Sequence, residues 1–285
     1  MQGKRALIVR IGDDMGFGFA IAHALAEANA TIIAGVWPPI YSLFKRSLEL
    51  GKFDQSRMLS NGQKLNFERI YPVDVAYDTE DQVPKDVREN KRYKQLEGYT
   101  ISQMADYIKQ ELESIDILVH AVANSAEIQN PLLETSRQGY LQAIGVSTYS
   151  MISLLHSLGP IMKPKSAALS LTYLASTRVI PGYGGGMSSA KAALESDTKT
   201  LAFEAGRKWG IRVNTISAGP YKSRAARAIG KIDDMIAYSQ TRSPLTNPLY
   251  GKDVGHAAAF LLSDLASAIT GHCLFVDNGF HIMGM

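Results

Sequence analysis

Tyr183 and Lys191 carry the plainest chemistry in this chain of 285 residues. They stand in Pro181-Gly-Tyr-Gly-Gly-Gly-Met-Ser-Ser-Ala-Lys191, a phenol, a glycine-rich bend, and then an ammonium in the first turn or so of a helix. A phenol beside a buried ammonium can share a proton near neutral pH, which a free phenol of pKa about 10 cannot do. Residues four apart lie one helical turn from each other. The position four before Lys191 is Met187. Any phenol that works with Lys191 must therefore come from Tyr183, across the glycines.

A second set of residues points to a bound nucleotide. Arg10-Ile-Gly-Asp-Asp-Met-Gly-Phe-Gly18 follows an apolar run and opens a helical one. Glycines at 12, 16 and 18 suit a tight turn, close approach of backbone to a pyrophosphate, and helix-on-strand packing. The helix that follows would aim its free N–H groups at the phosphates, and this context strengthens an otherwise weak motif. Trp37 stands after the second apolar run, where many NAD sites carry an acidic residue. Its indole could stack on adenine or simply close the core. Asp74-Val75 follows the third run; the carboxylate could accept from the adenine amino group or only shape a turn.

The totals bound the class. Apolar residues make up 46% and charged residues 20%, as in ordinary globular proteins. A net charge of +3 is too small for a nucleic-acid stripe. The single cysteine, Cys273, excludes an internal disulfide and a thiolate cluster. It favours a reducing compartment and reads as buried and inert. No apolar run approaches the ~20 residues of a membrane span, and no signal or transit segment is read in the chain as given. His23, His120, His156, His256, His272 and His281 are scattered without metal-ligand spacing, so no metal is expected.

The elements that must position these residues alternate. Apolar strand runs are expected at 6–9, 31–36, 67–73, 115–122, 168–173, 211–216 and 273–276. Helical runs are expected at 19–28, 100–113, 137–158, 188–207 and 252–263. Continuous apolar strands between helices indicate a parallel sheet covered on both faces. The reading is one doubly wound α/β domain over 1–285 with seven strands. The stretches 37–71 and 78–99 break the rhythm as long polar segments. Solvated loops are the plain reading, although structureless loops of such length are often functional.

On these residues the chain resembles the NADH-dependent enoyl-acyl-carrier-protein reductases of the short-chain dehydrogenase/reductase superfamily. It is most similar to the branch of plant plastids, apicomplexan plastids and chlamydiae. The matching blocks include 48–57, 90–93, 131–137, 170–173, 181–197, 214–220 and 265–271. In that branch seven residues separate tyrosine from lysine, as between Tyr183 and Lys191, and a second tyrosine lies ten positions earlier, as Tyr173 does. The polar region at about 38–99 resembles the insertion that marks the branch. The resemblance implies a single-domain Rossmann fold, usually tetrameric. It also implies NADH-dependent reduction of a trans-2-enoyl thioester on acyl carrier protein, the last reductive step of each fatty-acid elongation cycle. The compartment would be bacterial cytoplasm or plastid stroma.

The resemblance assigns Tyr183, Lys191 and Tyr173 to catalysis. It assigns the cofactor to Gly12, Asp13, Gly16, Phe17, Gly18, Trp37, Asp74, Val75, Ala121, Val122, Ala123, Leu171, Lys191, Ala218, Gly219 and Pro220. A segment at about 219–235 would cover the acyl chain. Within it Arg224, Arg227 and Lys231 would share one helical stripe facing acidic carrier protein. The chain departs from the family at Arg10 (usually glycine), Phe17 (usually tyrosine) and Ala121 (usually serine); Gly145 and Tyr221 are also unusual. Two rival readings stand beside this one: a carbonyl oxidoreductase of the wider short-chain group, which Met187 disfavours, and a cofactor-binding homologue whose turnover Arg10 impairs.

Overall fold

The protein is described here by a computed structural model covering residues 1–284. Its strands are β1 (Arg5–Val9), β2 (Thr31–Val36), β3 (Phe67–Pro72), β4 (Ile115–His120), β5 (Met162–Thr172), β6 (Arg212–Ala218) and β7 (Cys273–Val276). They form one parallel sheet in the order β3-β2-β1-β4-β5-β6-β7. The helices are α1 (Phe17–Glu27), α2 (Pro38–Glu49), α3 (Lys85–Glu89), α4 (Ile101–Leu112), α5 (Arg137–Ile144), α6 (Ser150–Leu158), α7 (Met187–Trp209), α8 (Ile232–Arg242) and α9 (Gly251–Leu262).

Side-chain alternation along each strand splits the core into two layers. Leu7, Val9, Ile33 and Leu118 face the layer closed by α4, α6 and α7. Ala6, Ile8, Ile32 and Val119 face the layer closed by α1, α2 and α9. Burial on both faces explains why these strands read as unbroken apolar runs. The chain reverses direction across the sheet between β1 and β4, so a crevice opens beyond their C-terminal ends, where open α/β sheets bind ligands.

The structure departs from several expectations. The stretch after Trp37 is not a loop, because α2 begins there. Pro38 and Pro39 look like breakers, but at the first helical positions their missing N–H groups have no intrahelical partner to lose. The rest of the insertion is largely exposed, as expected, but is anchored at several points. Phe44 packs against Phe53 and Phe67 at centroid distances of 5.8 and 5.7 Å, and Leu65, Val83 and Tyr93 are buried. The single helix expected over 137–158 is interrupted by a π-helical turn, Gly145–Tyr149, between α5 and α6. Cys273 is half-buried rather than fully buried, and burial pushes its thiol up to about 12.

Candidate active site

At the end of β1 the chain turns through Gly12 and Gly16 into α1. Gly16 caps α1 with extended backbone and no side-chain hydrogen bond, and the first turn holds no acidic residue. A Cβ on Gly16 would meet nothing within 4 Å, whereas one on Gly18 would lie 3.3 Å from the Ala121 Cβ. One glycine thus faces open space at a helix N-terminus and the other lets α1 close on β4. An uncapped helix end beside open space fits a dinucleotide pyrophosphate. Ala121, Val122 and Ala123 leave the end of β4, Leu171 lies near the end of β5, and Ala218, Gly219 and Pro220 leave β6. All of them share the C-terminal edge of the sheet with this turn.

Asp13 is buried and its carboxylate is already engaged. It accepts from the Met15 N–H at 2.8 Å and pairs with Arg224 Nε at 3.0 Å. Trp37 and Asp74 meet directly. The indole Nε1 donates to Asp74 Oδ2 at 3.1 Å, the Tyr93 hydroxyl donates to the same oxygen at 2.7 Å, and Ala76 N–H donates to Oδ1 at 3.1 Å. The carboxylate therefore first ties the insertion to the sheet, which leaves little of its acceptor capacity for an adenine. Val75, beside it, is buried. Sequence reasoning missed Tyr93 as a partner of Asp74; a tyrosine inside a charged run was its one signal.

Tyr173 and Tyr183 come together at the end of β5, with ring centroids 5.1 Å apart and edge to face. Leu174, Ala175, Ile180, Phe275 and Phe280 pack around them. Burial, and then the neighbouring Tyr173, raises the Tyr183 phenol above its ordinary value. Burial and Asp277 push Tyr173 to about 12. The expectation of a readily released phenolic proton is thus corrected: desolvation holds Tyr183 protonated, as a hydrogen-bond donor. Lys191 is buried, donates to the Leu171 carbonyl at 2.8 Å, and is lowered to about 8 by burial, with Glu195 opposing. Met187 is buried, 3.6 Å from Ser147 Oγ, and fills the position one turn before Lys191.

The glycine bend is pinned, which sequence could not reveal. Gly184 N–H donates to the Ile128 carbonyl at 3.1 Å, Gly185 N–H to the Asn130 carbonyl at 3.0 Å, and Ser125 Oγ to the Gly185 carbonyl at 2.8 Å. The π-helical turn holds the other side. Ser147 Oγ accepts from the Asn124 N–H at 3.0 Å, and Thr148 Oγ1 donates to the Ala190 carbonyl at 2.6 Å, beside Lys191. π-turns inside helices occur frequently at functional sites. His120, at the end of β4, is wholly buried, and burial together with the Lys191 charge lowers it to about 3.

Segment 219–235 crosses this edge. Phe17 and Tyr221, both unusual for the resemblance, stack on each other at 5.0 Å. Arg224 reaches Asp13, Gln129 Nε2 donates to the Ala228 carbonyl at 3.1 Å, and the Lys231 stem lies against Gly182. The expected stripe of Arg224, Arg227 and Lys231 does not form. Residues 225–229 make a 3-10 turn, and Gly230 at φ 69 breaks it before α8. Only Arg227 of the two arginines is left facing solvent without an ion pair among the described residues.

The arrangement matches known proteins. A family profile described as enoyl-(acyl carrier protein) reductase matches residues 68–281. A chloroplastic NADH enoyl-[acyl-carrier-protein] reductase of Oryza sativa is 56% identical over 285 residues, covering 100% of this chain and 76% of its own. The Arabidopsis thaliana counterpart is 56% identical, covering 100% and 73%. The crystal structure of the Plasmodium berghei enoyl-acyl-carrier-protein reductase with triclosan superposes with a TM-score of 0.96 at 47% identity, covering 99% of each chain. With this fold, this edge and these relatives, the chain belongs to the enoyl-acyl-carrier-protein reductase family.

Proposed function

We propose that this chain reduces trans-2-enoyl thioesters on acyl carrier protein with NADH, completing each cycle of type II fatty-acid elongation. The observation that carries the reading is the edge-to-face pair of Tyr173 and Tyr183 at the end of β5, the strand whose Leu171 carbonyl holds the buried Lys191 ammonium, with position 187 closed by methionine. A phenol delivered by the loop suits a thioester oxygen displaced from where a ketone would sit. The relatives named above bear this activity in their names.

The residues present fit the dinucleotide. The α1 N-terminus with Gly12, Asp13, Gly16, Phe17 and Gly18 would take the pyrophosphate, and Trp37, Asp74 and Val75 would border the adenosine. Ala121, Val122, Ala123, Leu171, Ala218, Gly219 and Pro220 would line the nicotinamide half. Bound there, the cofactor supplies a hydride for the enoyl β-carbon. The protein's part is electrostatic. Negative charge grows on the thioester oxygen, and the Tyr183 hydroxyl, held protonated by burial, donates to it more strongly in the transition state than in the ground state. Lys191 would donate to the nicotinamide ribose and add a positive field. Tyr173 borders the acyl chain, and segment 219–235 covers it. Acyl carrier protein approaches over Arg227. The assembly is a homotetramer, in a bacterial cytoplasm or plastid stroma.

NADH consumption with crotonyl and longer enoyl thioesters, beside a ketoacyl thioester, tests the reading. Turnover is expected on enoyl substrates only. Tyr183→Phe is expected to lower kcat about 10²-fold or more while leaving NADH binding intact. Full turnover by the variant would overturn the assignment.

A further inference from the structure

Arg10 occupies the first position of the glycine-rich turn with φ 83, a conformation that side-chain-bearing residues seldom adopt. Backbone strain of this kind persists where the surroundings enforce it and clusters at ligand sites. The Arg10 guanidinium lies over Trp37, 4.5 Å from the ring centroid. Burial lowers its pKa, with Asp74 and Tyr93 opposing; a guanidinium nonetheless keeps its charge in proteins. Its N–H fork makes no hydrogen bond or ion pair among the described residues. Asp74, the acid whose field it feels, already spends its oxygens on Trp37, Tyr93 and Ala76.

The place of this cation is informative. An NAD-selective site carries a carboxylate at the end of the second strand, which binds the ribose hydroxyls and repels a 2′-phosphate, whereas an arginine nearby accommodates that phosphate. Here the chain after β2 reads Trp37-Pro-Pro-Ile-Tyr41, with no acid, and the indole instead supports a guanidinium. We propose that Arg10 recognises the 2′-phosphate of an NADPH-type dinucleotide, so that this site accepts both forms of the cofactor. The proposal rests on the nucleotide site described under Proposed function. Guanidinium and phosphate pair by parallel N–H···O bonds, and the Trp37 face holds the fork in place.

The test needs no turnover. Isothermal calorimetry on the substrate-free protein compares 5′-AMP with 2′,5′-ADP, which differ only in the 2′-phosphate, with NADH as reference. The wild type is expected to bind 2′,5′-ADP about 10-fold more tightly, with the margin shrinking as salt rises. Arg10→Gly, whose backbone suits φ 83 and which therefore folds, is expected to bind the two equally. NADH binding without that preference, or a preference that survives in Arg10→Gly, overturns the role of Arg10 alone. Failure of the wild type to bind NADH overturns the nucleotide-site reading and the proposal with it.

Discussion

Burial, more than charge pairing, sets the protonation of the groups at this site. Tyr183 is kept protonated by desolvation, and the Lys191 amine is brought down to about 8 by the same cause. For Lys191 this has a thermodynamic consequence. The folded amine loses its proton near 8 and the unfolded one near 10.5, so between those values the unfolded state holds more protons and stability rises with pH. Below 8 the amine is charged in both states and its burial costs a constant amount. Lys191→Met removes the titration. Denaturant melts of both proteins should show the wild type gaining about 3 kcal/mol on the variant between neutral pH and pH about 10.5. A difference independent of pH would show that the amine is not desolvated.

Two local elements are built around position 183. The glycine bend is threaded between the loop after β4 and the start of α7. A Cβ on Gly185, already at φ 59, would collide with the Glu127 carbonyl and Ser125 Oγ, which are parts of that loop. A Cβ on Gly182, at φ 87, would meet only the flexible Lys231 stem at 3.2 Å. Gly185→Ala should therefore cost about 3 kcal/mol and disable turnover by displacing Tyr183, whereas Gly182→Ala should cost about 1 kcal/mol. Chemical denaturation with parallel enoyl assays checks the ranking; equal costs would mean that the bend can yield. The π-helical turn is the matching device on the other side, since it places Ser147 and Thr148 where a regular helix would not.

For the molecule as a whole, segment 219–235 joins parts that are remote in sequence: Asp13 and Phe17 after β1, Gln129 after β4, and Gly182 in the bend. It thereby spans from the turn after β1 to the glycine bend. Its two arginines are not equivalent. Arg224 serves the closure, while Arg227 faces solvent and is available to an acidic carrier. Arg227→Glu should raise KM for enoyl thioesters on acyl carrier protein about 10-fold and leave coenzyme A thioesters within about 2-fold. An equal rise for both would remove the carrier-docking role.

Much of this protein is written locally. Unbroken apolar runs such as Ala6–Val9 can only be buried on both faces, so seven strands and a doubly wound sheet were legible from periodicity. The order of Tyr183, the glycines, Met187 and Lys191 singled out the proposed reaction centre, because which residue stands one helical turn before Lys191 is a property of sequence. Other features depend on contacts between distant segments, which no local pattern encodes. The pinning of the bend by Ile128 and Asn130, the capture of Asp74 by Tyr93, and the seating of Arg10 on Trp37 are of this kind. Prolines that looked like a loop began a helix, because at its first positions they forfeit no hydrogen bond, and a smooth helical pattern hid a π-turn tied to α7 and to the loop after β4.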